Sequence, residues 1–228
     1  MSRPSVAVVI PWRPSPEREA NLRPVRAALQ AALPDAEIAG FDTGHEPFNR
    51  SAARNGGVRN SYGGAAVVVV CDADAIVEPE PLRAAVAQAA DGRLHLPYMT
   101  VRMLSRFGTR LVLAGLAPAL ADVWQTNHGR SVGGCVVVSY DTWRDVGGWD
   151  ERFTGWGFED VAFWAAVDTL HGTVRHEGTL YDLWHPDARE IGSARYLDGL
   201  ALCRRYNLAH GHPTAIRKLI EERSCVSA

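Results

Sequence analysis

The stretch VVVVCDADAIVEP, residues 67–79, constrains the fold more than any other part of the chain. Four consecutive valines have neither the alternation of a half-exposed strand nor the 3.6-residue rhythm of a surface helix. They predict a strand buried on both faces, the kind found inside α/β sheets with helices above and below. The surrounding pattern agrees. Residues 6–10 predict a first buried strand stopped by Pro11, and Ser15-Pro16-Glu17 reads as N-cap, first helical residue and first-turn acid. Leu22, Val25, Leu29 and Leu33 then keep helical spacing up to Pro34. Pro24 inside that pattern predicts a later start or a kink. Further strands are expected at 37–41, 65–71, 94–97 and 135–139, and helices at 49–60, 79–90 and 159–170. A helical turn is expected at 141–146, a strand in TVRHEGTLYDLWHP and a final helix at 188–208. Strand alternating with helix implies an α/β fold with a mainly parallel central sheet. Residues 98–131 break the rhythm and predict either a helix around 111–124 or a mobile flap.

A chain of 228 residues is long enough to bury a sizeable core as one domain. Its net charge of −2 gives no general attraction to nucleic acid or anionic membrane. Cys71, Cys135, Cys203 and Cys225 form no C-x-x-C pair. This argues against a disulfide framework or zinc site and for a reducing, cytoplasmic setting. The apolar run 6–10 is too short for a secretion signal. The run 111–124 is broken by Pro118 and too short to span a bilayer, although an amphipathic surface contact stays open there.

Several constellations carry chemistry. Asp72 and Asp74 stand i, i+2 at the end of the buried strand and point the same way. Ligands of open α/β sheets bind at that end. Two close carboxylates repel unless a cation such as Mg²⁺ or Mn²⁺ neutralises them; an isolated D-x-D is more often a solvated turn. In PFNRSAARNGGVRNS, Arg50 and Arg54 share a helix face, as a clamp for phosphates or for carboxylates of the next strand, or as a solvated basic helix. Pro11, Trp12 and Arg13 put an aromatic ring and a cation at the end of the first strand, suited to a base and a phosphate. In GWDERFTGWGFEDVAFW, two Gly-Trp units flank Glu159 and Asp160 at a helix start. The tryptophans offer a sugar platform and the acids a general base; the plainer reading is first-turn acids with core tryptophans. His185 in LWHP is alone, and a lone histidine is more often structural.

Taken in order, VVIPWRP, FNRSAARNGG, VVVVCDADAIVEP, GGCVVVSYDTWRDVGGWDERFTGWGFEDVAFW and LWHP resemble the nucleotide-sugar glycosyltransferases of the Rossmann-like GT-A fold. The chain is similar to family-2 enzymes. Its C-terminal segment is like that of β-1,4-galactosyltransferases and polypeptide N-acetylgalactosaminyltransferases. The resemblance implies a metal-dependent transferase of the hexosyl or N-acetylhexosaminyl type that uses a nucleotide sugar, a UDP-sugar first with a GDP-linked sugar as the alternative, and Mn²⁺ or Mg²⁺. It implies donor contacts from Pro11, Trp12, Arg13, Arg50, Arg54, Asp72, Gly133 and Gly134. Asp74 and His185 would hold the metal, with Asp72 on the ribose or the metal's shell. Trp156, Gly157 and Glu159 would meet the acceptor, and Asp160, flanked by Glu159, would be the general base of an inverting reaction. One departure is that Val161-Ala162-Phe163 replaces the usual acidic run after Glu-Asp, which leaves the acceptor open among glycan, lipid-linked sugar, protein and modified nucleic acid.

The expected organisation is one GT-A domain over 1–228: a nucleotide-binding half at 1–97, an acceptor-side excursion at 98–131, a catalytic half at 132–210 and a tail at 211–228. The excursion is expected to serve the acceptor, so its deletion would spoil transfer and spare nucleotide binding. Arg204, Arg205, Arg217, Lys218 and Arg223 would meet an anionic surface or solvent. Two other functions fit part of the pattern. A sugar-1-phosphate nucleotidyltransferase would want a glycine-rich phosphate loop, which PWRPSPERE lacks. A non-catalytic sugar-binding protein would have no need to keep Asp72, Asp74, Asp160 and His185 together.

Overall fold

The computed structural model describes residues 5–61, 65–154, 157–186 and 190–224. Chain order runs β1 (Val6–Pro11), α1 (Pro16–Ala32), β2 (Glu37–Phe41), α2 (Arg50–Asn60), β3 (Val67–Cys71) and β4 (Ala75–Val77). It continues through α3 (Pro79–Gln88), β5 (Leu94–Leu96), β6 (Thr100–Leu104), α4 (Arg106–Leu113), β7 (Val123–His128) and β8 (Cys135–Ser139). It closes with α5 (Tyr140–Asp145), α6 (Glu159–Leu170), β9 (Thr173–Arg175), β10 (Thr179–Asp182), α7 (Ala194–Ala209) and α8 (Pro213–Ser224).

The valine run becomes β3, an inner strand of a sheet ordered β2-β1-β3-β8-β5-β9. Val67 to Val70 are each at most 3% exposed, and burial of each side chain contributes about 1.5–3 kcal/mol. The pairs β1–β2, β1–β3 and β5–β9 are parallel; β8 is reversed against both of its neighbours. A smaller sheet, ordered β4-β10-β6-β7, stands beside it. β3 ends at Cys71 and β4 begins at Ala75, so Asp72 and Asp74 occupy the turn between the two sheets.

Helix α1 starts where its cap lies: the Ser15 hydroxyl accepts from the Arg18 N–H. It runs through Pro24, so the later start is not found; the cap and the buried Val25 and Leu29 outweigh one missing bond. The helix expected at 111–124 stops at Leu113. Gly115 adopts φ 104° and Pro118 opens a 3₁₀ turn. Val123–His128 then pairs antiparallel with β6, making residues 98–131 part of the smaller sheet. The strand-like TVRHEGTLYDLWHP segment splits into β9 and β10, one in each sheet. The helix expected at 188–208 starts at Ala194, and the expected tail contains α8, whose Ile216 and Leu219 are buried. Three of the five basic C-terminal residues have partners in the fold, two of them in exposed ion pairs. Arg205 pairs with Glu222, Arg217 with Asp145, and Arg223 donates to the Val146 and Gly148 carbonyls.

Candidate active site

Helix α2 looks polar, yet residues Ser51 to Val58 are buried. Most of its polar side chains have defined partners, Ser51 Oγ and Arg54 Nε being exceptions. The Asn49 side chain caps α2 by accepting from the Ala52 N–H and donates to the Glu151 carbonyl. The Asn55 amide accepts from the Trp149 N–H and donates to the Trp149 carbonyl. Trp149 is itself in the core, stacked on Phe163 at 3.8 Å. These bonds fasten α2 to the GGWDE loop and aim Arg54 at the carboxyl ends of the strands.

Arg54 is 1% exposed. Its guanidinium donates to Asp72 Oδ1 at 2.8 Å and to Asp160 Oδ1 at 2.7 Å, and reaches Glu159 Oε1 at 3.4 Å. Arg50 Nε lies 3.4 Å from the same Glu159 oxygen. The clamp is therefore on protein carboxylates for Arg54, while Arg50 faces the cleft. Burial raises the Asp72 pKa, and the charges of Arg54 and Arg50 outweigh it, so Asp72 stays below the usual carboxylate range. Asp160 is pushed up to about 7, by burial first, against Arg54, and with the charges of Glu159 and Asp72 adding to the rise. The local charges make sense of this: two arginines balance two of the three carboxylates, and Asp160 carries the excess.

A second cluster adjoins the first. Ligand atoms of Asp74, Asp182 and His185 all lie within 4.8 Å of one another. His185 Nδ1 faces the Pro186 carbonyl at 2.9 Å, an acceptor only, which fixes the ring proton on Nδ1. Nε2 is thereby left as the ring nitrogen facing Asp74 Oδ2, 3.5 Å away. Burial and the neighbouring Asp72 charge raise the Asp74 pKa. Asp182 rises well above its usual value through burial and the charges of Asp74 and Asp72. Two carboxylates that hinder each other's ionisation, beside an imidazole that turns Nε2 toward them, fit a divalent cation. The imidazole favours Mn²⁺ over Mg²⁺, which prefers oxygen alone.

Both clusters open on one cleft of about 260 Å³. Of the residues singled out in the sequence, Pro11, Arg50, Asp72, Asp74, Gly133, Gly134, Asp160 and His185 line it. Gly133 is required there, because a Cβ would overlap the Asp160 carboxylate. Its carbonyl accepts from the Tyr98 hydroxyl. Glu159 lies behind the wall, 3% exposed, between the two arginines. Arg13 is engaged by Asp42, Glu46 and the His45 carbonyl. Trp12 packs beside Gly40, and Gly157 takes φ 93° just before α6. Trp156 lies outside the described residues. Sequence reasoning missed Arg18, Phe48, Met103, Asn127 and Asp182 on the lining. The D-x-x-H spacing of Asp182 and His185 was the available signal.

Residues 121–178, which carry Gly133, Glu159 and Asp160, match the family model described as the N-terminal domain of galactosyltransferase. No curated protein matches the chain. Among solved structures, the catalytic domain of Drosophila β1,4-galactosyltransferase 7 with xylobiose is 16% identical over 89% of this chain and 80% of that one, TM-score 0.57. A mutant of the Drosophila enzyme complexed with manganese, UDP-Gal and xylobiose gives 15% identity over 86% and 79%, TM-score 0.54. GalNAc-T7 with UDP, GalNAc and Mn²⁺ gives 11% over 96% of this chain and 54% of that one, TM-score 0.52. At these identities the likeness is one of fold, and the fold is the GT-A fold of nucleotide-sugar glycosyltransferases. No helix among the described residues is long and apolar enough to cross a membrane.

Proposed function

We propose that the protein transfers a sugar from a nucleotide-sugar donor, a UDP-sugar, to an acceptor hydroxyl with inversion at the anomeric carbon. One observation carries this reading: Asp160, a carboxyl with a pKa of about 7, stands in the wall of the cleft that also holds Asp74, Asp182 and His185. A general base works best with a pKa near the working pH. Asp160 takes the acceptor proton as the acceptor oxygen attacks the anomeric carbon, and Arg54 holds the carboxylate in place. Glu159 acts through Arg50 and Arg54 as a positioning residue. Asp74, Asp182 and His185 would hold Mn²⁺, which when bound supplies positive charge to the departing diphosphate. Asp72 keeps one oxygen on Arg54 and offers the other to the donor ribose or the metal's shell. Pro11, Phe48 and Arg18 give the donor an apolar ledge and a cation, in place of Trp12 and Arg13. The UDP and manganese in the structures of similar fold support the same assignment.

The whole chain acts as one catalytic domain in this reading. Cys71, Cys135 and Cys203 are free thiols, which suits the cytoplasm. The test is Asp160→Asn. Donor binding, followed by calorimetry with Mn²⁺, stays within about twofold, while transfer falls by about 10²–10⁴-fold. Near-normal turnover would remove Asp160 from the reaction.

A further inference from the structure

The metal histidine sits on a chain segment with no regular structure of its own. β10 ends at Asp182, and residues 183–186 form neither helix nor strand. Each backbone group there needs an outside partner if the imidazole is to stay in place. The Leu183 N–H donates to the Asp74 carbonyl at 2.8 Å, which ties the segment to the first ligand's own backbone. The Trp184 N–H donates to Thr109 Oγ1 at 2.8 Å. The Trp184 carbonyl accepts from Asn21 Nδ2 at 3.2 Å. Thr109 is 4% exposed and Asn21 2%, so both polar side chains are spent inside the protein on this one residue. The Arg106 guanidinium covers the Trp184 ring at 4.9 Å. Arg106 and Thr109 belong to α4, Asn21 to α1, and the residue so gripped immediately precedes His185.

We propose that Thr109 and Asn21, with Arg106 over the ring, form a clamp on Trp184 that sets the position of His185 for metal binding. They are positioning residues, and none of them contacts the cation. The clamp gives α4 a role that its place in the acceptor-side excursion does not suggest: it supports the donor's metal. Disturbing this helix should therefore weaken metal binding, the opposite of an excursion that serves the acceptor alone. Thr109 is the sharpest point of the clamp. Its hydroxyl is the acceptor for a buried N–H, and valine keeps the shape while leaving that N–H unpaired.

The inference rests on the metal reading of Asp74, Asp182 and His185, and the test separates the two. Mn²⁺ alone is titrated into the full chain, with free Mn²⁺ read by its electron paramagnetic resonance signal and folding by a metal-free thermal melt. The wild type binds one Mn²⁺, and Asp74→Ala abolishes this. Thr109→Val raises the Mn²⁺ Kd by about 10–100-fold, the range for partners that orient a metal ligand, and Thr109→Ser restores it. Arg106→Ala, a change at the surface, raises the Kd several-fold with an unchanged melt. A wild type that binds no Mn²⁺ defeats the metal reading itself. Wild-type binding together with an unaltered Kd in Arg106→Ala, or in a folded Thr109→Val, overturns the clamp while leaving the metal site standing.

Discussion

Asp160 owes its raised pKa to its company. Burial and two neighbouring carboxylates raise its pKa, and a shared arginine limits the rise to about 7. The reactive form of a base is the deprotonated one, so its fraction grows as pH rises through that value. The rate kcat/KM is therefore expected to increase across pH 6–8 with an apparent pKa of about 7. A profile flat from pH 5 to 8 would show that no such carboxyl limits the free enzyme. At this scale the sequence was informative about residue type and less so about direction. Asp72 and Asp74 stand out by their i, i+2 spacing, Asp160 by its place at a helix start and His185 through the family resemblance, and the fold brings them to one cleft. Asp182 was hidden because TLYD reads as an ordinary strand, and its partner Asp74 is over a hundred positions away. Arg13 is a related case: an arginine at a strand end suggests a phosphate, and in the fold Asp42 and Glu46 pair with it across the β1–β2 edge.

Among the elements, α2 departs furthest from its pattern. Its composition suggests a solvated helix, yet it is inserted between the sheet and the GGWDE loop with nearly every residue buried. Polarity alone does not measure exposure when most polar groups find partners, and those from the loop and α6 are 94 to 106 positions distant. Asn55 is the joint. Its replacement by alanine leaves the Trp149 N–H and carbonyl without their partner, which should cost about 1–3 kcal/mol in a urea melt. A loss below about 0.3 kcal/mol would mean that the loop holds itself. Other elements were read more directly. The valine run, the Ser15 cap and α6 carry local signals that need no distant partner. β6 and β7 do not, because a short strand of the smaller sheet earns its place only by pairing.

Across the molecule, two sheets meet at the turn that carries Asp72 and Asp74. One sheet contributes β3 and β8, which bring Asp72 and Gly134; the other contributes β10, which brings Asp182, with His185 just beyond. The cleft is therefore a product of the whole chain rather than of one motif. The galactosyltransferase family match falls on the segment that supplies Gly133 and Asp160, while the candidate metal ligands come from outside it. The central claim, metal-dependent sugar transfer from a nucleotide donor, is tested most directly by nucleoside-diphosphate release from a panel of nucleotide sugars. UDP should be released from a UDP-sugar when Mn²⁺ is present, stop with EDTA and resume when Mn²⁺ is restored. Release from no donor, or pyrophosphate formation from a nucleoside triphosphate and a sugar 1-phosphate instead, would contradict it.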